Sequence, residues 1–405
     1  MEGKKKIWIV SEYYYPIVTS TGYYITEIAE YLATKKSNVN VICTDAKYNE
    51  KDDFDFIESE IRKGVKIQRI KSGNIDKNNF VYRIIRLFYS SILLAIRVFR
   101  VSKKDDEVLI VTNPAFLVLL MPFVKLFKGI DYKILVHDIF PENLVAIGKV
   151  KSTSFFYKIL KIIYDYSYSK ADVCIAIGRD MKEVLLRKIK SSSEIIVIPN
   201  WSDIDDVFPV DKRETKLINK YELKNKFIFQ FAGNLGHAQG LDNIIEAIKL
   251  VKNENIHFLF VGSGAMETNI RDFIESNSLK NITQVGFQNR SEQNDFLNAC
   301  DVAIVTLSDG MYGLGVPSKS YNIMASGKPI LVIAHERSEI SLCVKENGIG
   351  WTVEPNNPIL LAYFFEEIYK ENIENRFKDI TEPRDIAVKL YSKKIILDKF
   401  VELFH

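Results

Sequence analysis

The sequence predicts an α/β protein built from two doubly wound, Rossmann-like parallel-sheet domains. Apolar runs of strand length alternate with helical patterns from one end of the chain to the other, which is the order of elements in parallel sheets. At 405 residues the chain is also too long for one ordinary hydrophobic core. Hydrophobic residues make up 47% of the sequence and charged residues 26%, a globular composition that excludes a disordered protein.

The predicted strands fall into two groups on either side of a polar interval. The first group is "KIWIV", "VNVICT", "VKIQRI", "EVLIVT", "YKILV", "VCIAIG" and "EIIVIPN", and the second is "KFIFQFAG", "HFLFVGSG", "ITQVGF", "VAIVTL" and "PILVIA". Residues 202–225 between the groups are polar and contain Pro209, as expected of a domain boundary. We therefore expect an N-terminal domain over 1–205, a linker over 206–225 and a C-terminal domain over 226–385. A last helix over 386–405 is a candidate to pack back on the first domain.

Charge, cysteines and acidic runs restrict the class of protein. A net charge of +3 is too small to predict nucleic-acid binding. The four cysteines are far apart and match no metal or disulfide pattern, as in a reduced cytoplasmic protein. The N-terminal "MEGKKKIWIV" has no cleavage site, so we predict no signal peptide. The runs "KDDFD" at 51–55 and "KKDDE" at 103–107 are typical of solvated faces, and we expect no metal site.

A histidine and an aspartate directly follow a buried strand in "DYKILVHDIFPENLVAIG", residues 131–148. The apolar residues 134–136 are typical of a strand covered on both faces. His137 and Asp138 then lie at the carboxyl end of this strand, the edge at which open α/β sheets bind ligands. The alternative is a capped turn whose histidine bonds only to backbone.

Two glycine-rich turns in the second half predict a phosphate-binding edge. The segment "FAGNLGHAQGLDNIIEAI" is a strand, a turn and a helix, and "FVGSGAME" repeats the arrangement after the next strand. Glycine lets backbone amides approach a phosphate, and a helix N-terminus adds favourable partial charge. One such turn also fits an ordinary tight connection. Two turns at neighbouring strand ends favour a nucleotide site.

A further candidate element begins in "GLGVPSKSYNIMASGKPILVIA". Pro317 and Ser318 are typical of a helix start, with Ser318 able to cap it. Lys319 then falls in the first turn, where the helix dipole disfavours a cation. We therefore expect an anion to bind at the same helix end. The alternative is a solvated lysine.

With these residues in view, the chain resembles a GT-B-fold glycosyltransferase of family 4, in the branch that acts in capsule, O-antigen and exopolysaccharide assembly. The matching pieces span nearly the whole chain in this order: "EYYYPIVTSTGYYITEIAEYLA", "HDIFPENLVAIG", "IPNWSD", "AGNLGHAQGL", "FVGSG" and "VPSKSYNIMASGKPIL". The resemblance implies the GT-B fold, in which two Rossmann-like domains face a central cleft. It also implies metal-independent transfer of a sugar from a nucleotide-sugar, usually a UDP-sugar bound by the C-terminal domain, to an acceptor held by the N-terminal domain.

The resemblance also assigns roles to individual residues. It implies that His137 lies near the transferred sugar. On a retaining mechanism, Asp138 and Glu142 are then expected to hold the histidine or the acceptor. It places Ser20, Thr21 and Gly22 in a loop that closes over donor and acceptor. The implied donor-binding residues are Gly233, Asn234, Gly236, Gln239 and Gly240 in the first glycine turn, Gly262 and Gly264 in the second, Gly286 and Phe287 near the uracil, and Ser318, Lys319 and Asn322.

The chain departs from the family pattern at four positions. Many members carry an Arg and a Lys in the first glycine turn, where this chain has Asn234 and Gln239. The usual pair of glutamates is replaced by Leu314 and Asn322. Lys319 and backbone amides must therefore neutralise more of the diphosphate charge. Asn322 is expected to bond a ribose or sugar hydroxyl, because an amide both donates and accepts.

The chemistry leaves two stereochemical outcomes open. Glycosyl transfer leaves negative charge on the departing diphosphate, and fixed dipoles with Lys319 could stabilise that charge without Mg²⁺. In a retaining reaction the leaving phosphate can take the acceptor proton, while His137 orients the sugar and polarises a hydroxyl. In an inverting reaction Asp138 or Glu142 would be the general base. The resemblance favours retention.

Residues 80–104 predict a basic, otherwise apolar helix. Arg83, Arg86, Arg97 and Arg100 fall within one arc of about 100° on a helical wheel. Such a helix suits the surface of an anionic membrane, so these arginines are predicted to face a bilayer. This would suit a polyprenyl-diphosphate-linked saccharide as acceptor and a peripheral location on the inner face of the cytoplasmic membrane. The alternative is a packing helix with its basic side in water.

Two other functions stay open. A UDP-sugar 2-epimerase shares the two-domain fold but would act on free UDP-sugar without an acceptor. A catalytically inactive nucleotide-sugar-binding protein is compatible with the departures from the family pattern. A dinucleotide oxidoreductase is disfavoured, because no GxGxxG follows a strand with an acid about twenty residues on.

Overall fold

The computed structural model describes residues 5–17, 19–46, 56–73, 80–190 and 193–404. The chain forms two compact units. The first consists of Met1–Pro199, Gly313–Gly315 and Ile396–His405, and the second of Asn200–Tyr312 and Val316–Ile395. The second unit thus begins ahead of the linker expected over 206–225. The end of the last helical stretch, from Ile396, belongs to the first unit.

The first unit is built on one sheet whose described strands are almost all parallel. Its elements are β1 (Ile7–Val10), α1 (Ser20–Lys35), β2 (Val39–Thr44), β3 (Ser59–Arg62), β4 (Val65–Ile70), α2 (Phe80–Val101), β5 (Glu107–Val111), α3 (Leu117–Lys128), β6 (Asp131–Val136), α4 (Glu142–Ala146), α5 (Phe155–Lys170), β7 (Val173–Ala176), α6 (Arg179–Lys188) and β8 (Glu194–Val197). The strand order is β3-β4-β2-β1-β5-β6-β7-β8. Strands β1, β2 and β5 are buried along their whole length, because helices cover both faces of the sheet.

Strand β3 was not predicted from the sequence. Its residues, Ser59–Arg62, pair antiparallel with β4 at the edge of the sheet and alternate between exposed and half-buried positions. A polar edge strand lacks the apolar run by which the other strands are recognised in the sequence. Strand β3 is therefore identified only by its pairing with β4 in the structure.

Helices lie in two layers, one on each face of the first sheet. The crossovers from β4 to β5, from β5 to β6 and from β6 to β7 all run in the same direction across the sheet. Because such crossovers are right-handed, α2, α3 and α5 share one face, and they pack side by side. The crossover from β1 to β2 runs the other way, so α1 lies on the opposite face. On that face the Tyr31 hydroxyl of α1 donates to Asp398 Oδ1 at 2.5 Å, a contact with the last segment of the chain, which belongs to the first unit.

The second unit is a six-stranded parallel sheet within the described residues. Its elements are α7 (Lys216–Lys220), β9 (Phe227–Ala232), α8 (Leu241–Leu250), β10 (Ile256–Val261), α9 (Glu267–Ser276), β11 (Ile282–Val285), α10 (Gln293–Asn298), β12 (Val302–Thr306), α11 (Lys319–Ala325), β13 (Ile330–Ile333), α12 (Glu339–Asn347), β14 (Gly350–Val353), α13 (Pro358–Ile373) and α14 (Pro383–Tyr391), and α15 (Lys393–Glu402) crosses the division between the units. The strand order is β11-β10-β9-β12-β13-β14. The edge strand β14 was also missed, since it is short and begins with glycine.

Each strand order reverses direction at one point, and that point locates a ligand-binding edge. In the first sheet the reversal lies between β1 and β5, and in the second between β9 and β12. Open α/β sheets bind ligands outside the carboxyl ends of the strands at such a switch point. The segments that follow β1, β5 and β6, and those that follow β9, β10 and β12, are therefore where each unit presents its candidate residues.

No helix among the described residues combines the length and the apolar composition that crossing a bilayer requires.

Candidate functional site

In the second unit, the two predicted glycine turns lie directly against each other. A Cβ atom on Gly262 would lie 1.9 Å from the Gly233 carbonyl oxygen, and one on Gly264 would lie 2.5 Å from the carbonyl oxygen of Leu235. The backbone N–H of Leu235 donates to the Ser263 carbonyl oxygen at 2.9 Å, which holds the turns together. Glycine is thus required by the contact between two backbones. The structure brings these predicted residues together.

The half-buried Lys319 side chain lies beside the first of these turns. Its Nζ is 3.3 Å from the centroid of the Phe231 ring and 3.7 Å from the position that a Cβ of Gly233 would take. Burial lowers the pKa of Lys319 well below its usual value. No described carboxylate forms a salt bridge with it. A phosphate at this edge would supply the negative charge that favours the protonated amine.

The other turn residues follow the same edge. Gly240 has a left-handed backbone, and a Cβ there would lie 3.4 Å from the Cα of Ser308. Asn234 is exposed, and its Nδ2 approaches the position of a Gly236 Cβ to 3.0 Å. The Gln239 carbonyl oxygen accepts from the Thr306 hydroxyl at 2.8 Å, which fixes the turn to the end of β12. Asn234 and Gln239 therefore offer amides where the family pattern has cations.

Gly286 and Phe287 follow β11, the strand beside β10. A Cβ on Gly286 would meet no described atom within 4 Å, so its surroundings are open. Phe287 is 66% exposed, which is unusual for a phenylalanine and leaves its ring available for stacking on a base. Both residues lie at the carboxyl edge that also carries Gly262.

At α11 the structure contradicts the expected cap by Ser318 and gives Asn322 a partner within the protein. The helix begins at Lys319 as expected, but Ser318 makes no capping hydrogen bond through its side chain. Asn322 is buried, and its amide does not point to a free position: Oδ1 accepts from the Asp203 N–H at 2.8 Å, and Nδ2 lies 3.4 Å from Asp203 Oδ2. Both ends of this amide contact Asp203, and a hydrogen bond from Asn322 to a ribose or sugar hydroxyl stays a prediction.

Asp203 and Arg290 are candidate residues that sequence reasoning missed. Arg290 Nη2 donates to Asp203 Oδ2 at 2.5 Å, so a buried carboxylate stands beside the position where the family pattern has a glutamate. Asp203 ends the segment "IPNWSD" at 198–203, which was recognised as a motif without a role. Only the fold brings this segment to α11.

In the first unit, His137 is the centre of the candidate site at the end of β6. The Thr112 hydroxyl accepts hydrogen bonds from the backbone N–H groups of His137 and Asp138, both at 3.1 Å, and so fixes the turn after the strand. Burial lowers the pKa of His137 to about 4, so the ring is neutral near pH 7. Its Nε2 is buried and has no hydrogen-bond partner among the described residues. A neutral imidazole with one uncommitted nitrogen suits contact with a substrate hydroxyl.

The segment after β1 meets this histidine. Thr21 Oγ1 lies 3.4 Å from His137 Nδ1, and the Tyr24 ring approaches the imidazole edge-on with centroids 6.3 Å apart. Gly22 is buried, its N–H donates to Thr19 Oγ1 at 2.9 Å, and a Cβ there would lie 2.6 Å from the Ile17 carbonyl oxygen. Ser20 is exposed at the start of α1. The structure thus brings Thr21 and His137 together, although 116 residues separate them.

Asp138 faces Asn143 instead of the histidine ring. Its Oδ1 accepts from Asn143 Nδ2 at 2.7 Å. Burial raises the pKa of Asp138, and the hydrogen bond from Asn143 partly opposes this rise. Asn143, which was not predicted, therefore positions this carboxylate.

Glu142, the first residue of α4, is engaged in an ion network with α5 and α6. Lys188 is 1% exposed at its side chain, and its Nζ lies 2.7 Å from both carboxylate oxygens of Glu142 and 2.6 Å from Asp165 Oδ1. Lys161 joins the same two carboxylates at 3.2 and 2.7 Å. The expectation that Glu142 holds His137 or acts as a base is therefore not supported by its contacts, which tie α4 to α5 and α6.

The four arginines predicted to face a membrane do not share one environment. Arg86 is buried, 3.6 Å from Glu12 and within 3.3 Å of the Tyr13 hydroxyl, so its prediction is wrong: the charge is balanced inside the unit. Arg97 is half-buried and donates to Gln68 Oε1 at 3.0 Å, whereas Arg100 is exposed. The side chain of Arg83 lies outside the described residues.

Among the described residues, no three side chains of His, Cys, Asp or Glu are grouped to hold a metal ion. The run at 51–55 lies outside the described residues.

Comparisons with known proteins give the same assignment to both units. The family model described as Glycosyltransferase Family 4 matches residues 21–206, and the model described as Glycosyl transferases group 1 matches residues 213–382. The chain is 35% identical over 399 residues to WbjE of Pseudomonas aeruginosa, a protein named as a glycosyltransferase. That match covers 98% of this chain and 96% of WbjE.

A second relative and a solved structure extend these comparisons. The chain is 28% identical over 228 residues to WcaI of Escherichia coli K12, named as a colanic acid biosynthesis glycosyl transferase, covering 56% of this chain and 55% of that protein. The structure of HepE from Anabaena in complex with UDP superposes with a TM-score of 0.73 at 13% identity, covering 98% of this chain and 99% of that one. HepE has also been solved with UDP-glucose. The predicted fold class is confirmed.

Proposed function

This chain belongs to the family 4 glycosyltransferases of the GT-B fold, and from that premise we propose that it transfers a hexosyl or N-acetylhexosaminyl group from a UDP-sugar to a lipid-linked saccharide. The observation that carries the donor assignment is Lys319, a half-buried lysine with no described carboxylate partner, beside two interlocked glycine turns. A diphosphate matches this arrangement in both charge and shape.

The chemistry of the donor site supports transfer without a metal ion. When the anomeric bond breaks, charge develops on the β-phosphate, and a preorganised cation with backbone N–H groups stabilises that charge most where water is excluded. The Lys319 side chain lies beside the turn at Gly233, and the turn at Gly262 meets that turn at the same edge. We therefore propose that the leaving diphosphate is stabilised by Lys319 and backbone dipoles.

The first unit supports a role for His137 in orienting the sugar. Its ring is neutral near pH 7, and Thr21 Oγ1 lies 3.4 Å from Nδ1. Its Nε2 has no hydrogen-bond partner among the described residues. We propose that His137 contacts a sugar hydroxyl through Nε2 and that the leaving phosphate takes the acceptor proton, which gives retention. The engagement of Glu142 by Lys188 and the contact of Asp138 with Asn143 both argue against a general base at those positions.

The support for the acceptor class comes from a relative rather than from the site. WcaI is named for colanic acid biosynthesis. Together with the resemblance to the capsule and O-antigen branch, this supports a polyprenyl-diphosphate-linked saccharide as acceptor. We propose that the enzyme acts peripherally at the inner face of the cytoplasmic membrane, where that lipid presents its sugar.

Thermal unfolding with nucleotides tests the donor assignment. We expect UDP at one hundred times its dissociation constant to stabilise the protein by about 2.7 kcal/mol, with GDP and ADP giving less and EDTA changing nothing. Lys319→Ala should abolish the shift, whereas Lys249→Ala, at an exposed position of α8, should keep it. No response to any nucleotide would contradict the donor site.

Product analysis then separates the enzyme functions. Incubation of a UDP-sugar with a short-chain polyprenyl-diphosphate saccharide should give a product whose anomeric configuration, read from NMR coupling constants, matches that of the donor. Inverted product would assign a base to the first unit. Conversion of the UDP-sugar without an acceptor would indicate a 2-epimerase, and UDP binding without turnover on a broad acceptor panel would indicate a binding protein.

A further inference from the structure

We propose that the outer face of α2, α3 and α5 docks the enzyme on an anionic bilayer, with the aromatic side chains of α3 and α5 entering the interfacial layer. This inference deepens the proposed function and rests on its lipid-linked acceptor. The contact then rests on exposed side chains of all three helices rather than on the arginine arc of α2 alone.

The three helices form one continuous layer. They cover the same face of the first sheet, because their crossovers run in one direction, and α3 packs between α2 and α5. Phe88 of α2 meets Phe116, just ahead of α3, edge-on with ring centroids 5.6 Å apart. Side chains that point away from the sheet on these helices therefore belong to a single surface.

Large apolar side chains dominate the outer surface of α3 and α5. Leu126 is 75% exposed and Phe127 is 72% exposed on α3, and Phe155 is 79% exposed at the start of α5. Phe123, Phe156 and Ile162 are exposed as well. Scattered apolar residues are normal on a surface, but a patch of this kind on adjacent helices marks an interaction site.

The charge around this patch identifies the occupant. Helices α2, α3 and α5 contain a single acidic residue, Asp165, and both Lys161 and Lys188 hold its carboxylate. Exposed Arg100, Lys158 and Lys170 and the half-buried Lys128 carry positive charge on the same helices, and Lys128 lies 5.0 Å from the centroid of the Phe99 ring. A negatively charged bilayer complements both the cations and the apolar side chains.

The depth of contact follows from the same helices. None of the described helices has the length and composition to cross a bilayer, so the apolar side chains can enter only the interfacial region. The burial of Arg86 against Glu12 fits this geometry, because that arginine supports α2 from inside the unit while the opposite side of the layer faces the lipid. The cations then lie at the level of the phosphate groups.

Vesicle co-sedimentation of the full chain tests the proposal. We expect binding to vesicles of phosphatidylcholine with phosphatidylglycerol, weaker binding to phosphatidylcholine alone, and loss of the difference at high salt. The double variant Leu126→Ser/Phe127→Ser should reduce binding to anionic vesicles by about tenfold or more. The matched control is Ile359→Ser/Tyr363→Ser, which replaces two exposed apolar residues of α13 in the second unit and should bind as the unaltered protein does.

The proposal would be overturned if the unaltered protein did not bind anionic vesicles, or if the Leu126→Ser/Phe127→Ser variant of α3 bound them as strongly as the unaltered protein. It would also be overturned if the unaltered protein were a dimer and the α3 variant a monomer, which would assign the surface to a second copy of the chain. Both variants should keep the UDP-dependent thermal shift, which shows that they are folded. Loss of vesicle binding with donor binding intact separates this proposal from the donor assignment. Turnover of a short-chain acceptor by the α3 variant would separate it from the acceptor assignment.

Discussion

The carboxyl edges of the two sheets carry candidate sites of different construction. In the second unit the edge is made by backbone: Gly262 fits against Gly233 with no room for a Cβ atom, and Lys319 adds the charge. In the first unit the edge is made by side chains, with Thr112 holding the turn and Thr21 meeting His137. Each glycine turn can be recognised from its own local sequence, whereas the side chains that meet in the first unit cannot, although strand pairing assembles both sites.

The largest expected effect tests the backbone site. Gly262→Ala should lower the free energy of unfolding by about 3 kcal/mol or more, because the added Cβ meets a carbonyl oxygen at a backbone φ of 136°. The control is Gly286→Ala, where a Cβ meets no described atom within 4 Å and the change should stay within about 0.5 kcal/mol. Urea unfolding measures both. Equal stability of the two variants would contradict the interlocked turns.

The next effect tests the side-chain site by comparing two buried histidines. Burial lowers the pKa of both His137 and His257 to about 4, but His257 Nε2 shares a hydrogen bond with Thr283 Oγ1 at 2.8 Å within the second sheet. We expect His137→Gln to lower kcat by about a hundredfold or more, since the group proposed to contact the reacting sugar is lost. His257→Gln should leave kcat nearly unchanged. Steady-state kinetics measures kcat for both variants. Equal kcat values would show that the uncommitted Nε2 of His137 has no part in catalysis.

A smaller effect asks what Glu142 does in the first unit. Glu142→Gln should lower the free energy of unfolding by about 1–3 kcal/mol, because the buried Lys188 loses one of two carboxylate partners. The matched control is Asp165→Asn, which removes the other partner and should cost a similar amount. Neither variant should change the shape of the pH–rate profile. Loss of the acidic limb in Glu142→Gln alone would restore this residue as a general base.

The smallest effect is a dependence of stability on pH. Each histidine has a folded pKa of about 4 against an ordinary value of 6.5 and is neutral in the folded protein near pH 7. The unfolded state therefore binds the proton more readily between these two values. Stability is therefore fully present above the unfolded pKa and falls as pH decreases toward the folded pKa. Between pH 7.5 and 5.5 each histidine should contribute a loss of about 1 kcal/mol. Urea unfolding at both pH values measures this loss. The free energy of unfolding should fall less between pH 7.5 and 5.5 in His257→Gln than in the unaltered protein.

Particular elements show how far the sequence could be interpreted. The apolar runs predicted twelve of the fourteen described strands, and the missing β3 and β14 are short edge strands without an apolar run. The glycine turns and Lys319 were also predictable, because they lie beside the strands and the helix that carry them. The environment of α2 was not: a helical wheel groups Arg86 with Arg100, but Glu12 and Tyr13 from the segment after β1 reach only one of them.

By itself the sequence determined the α/β class, the two parallel sheets and the identity of the strand ends that carry Gly233, Gly262 and His137, because these depend on local patterns of apolar residues and glycine. The tertiary structure alone decided which polar groups meet. Thr21 joins His137, Asp203 occupies the amide of Asn322, and Lys188 takes Glu142. Each of these contacts closes a long stretch of chain, and no local periodicity encodes the partner that the crossovers of the sheet bring to the same place.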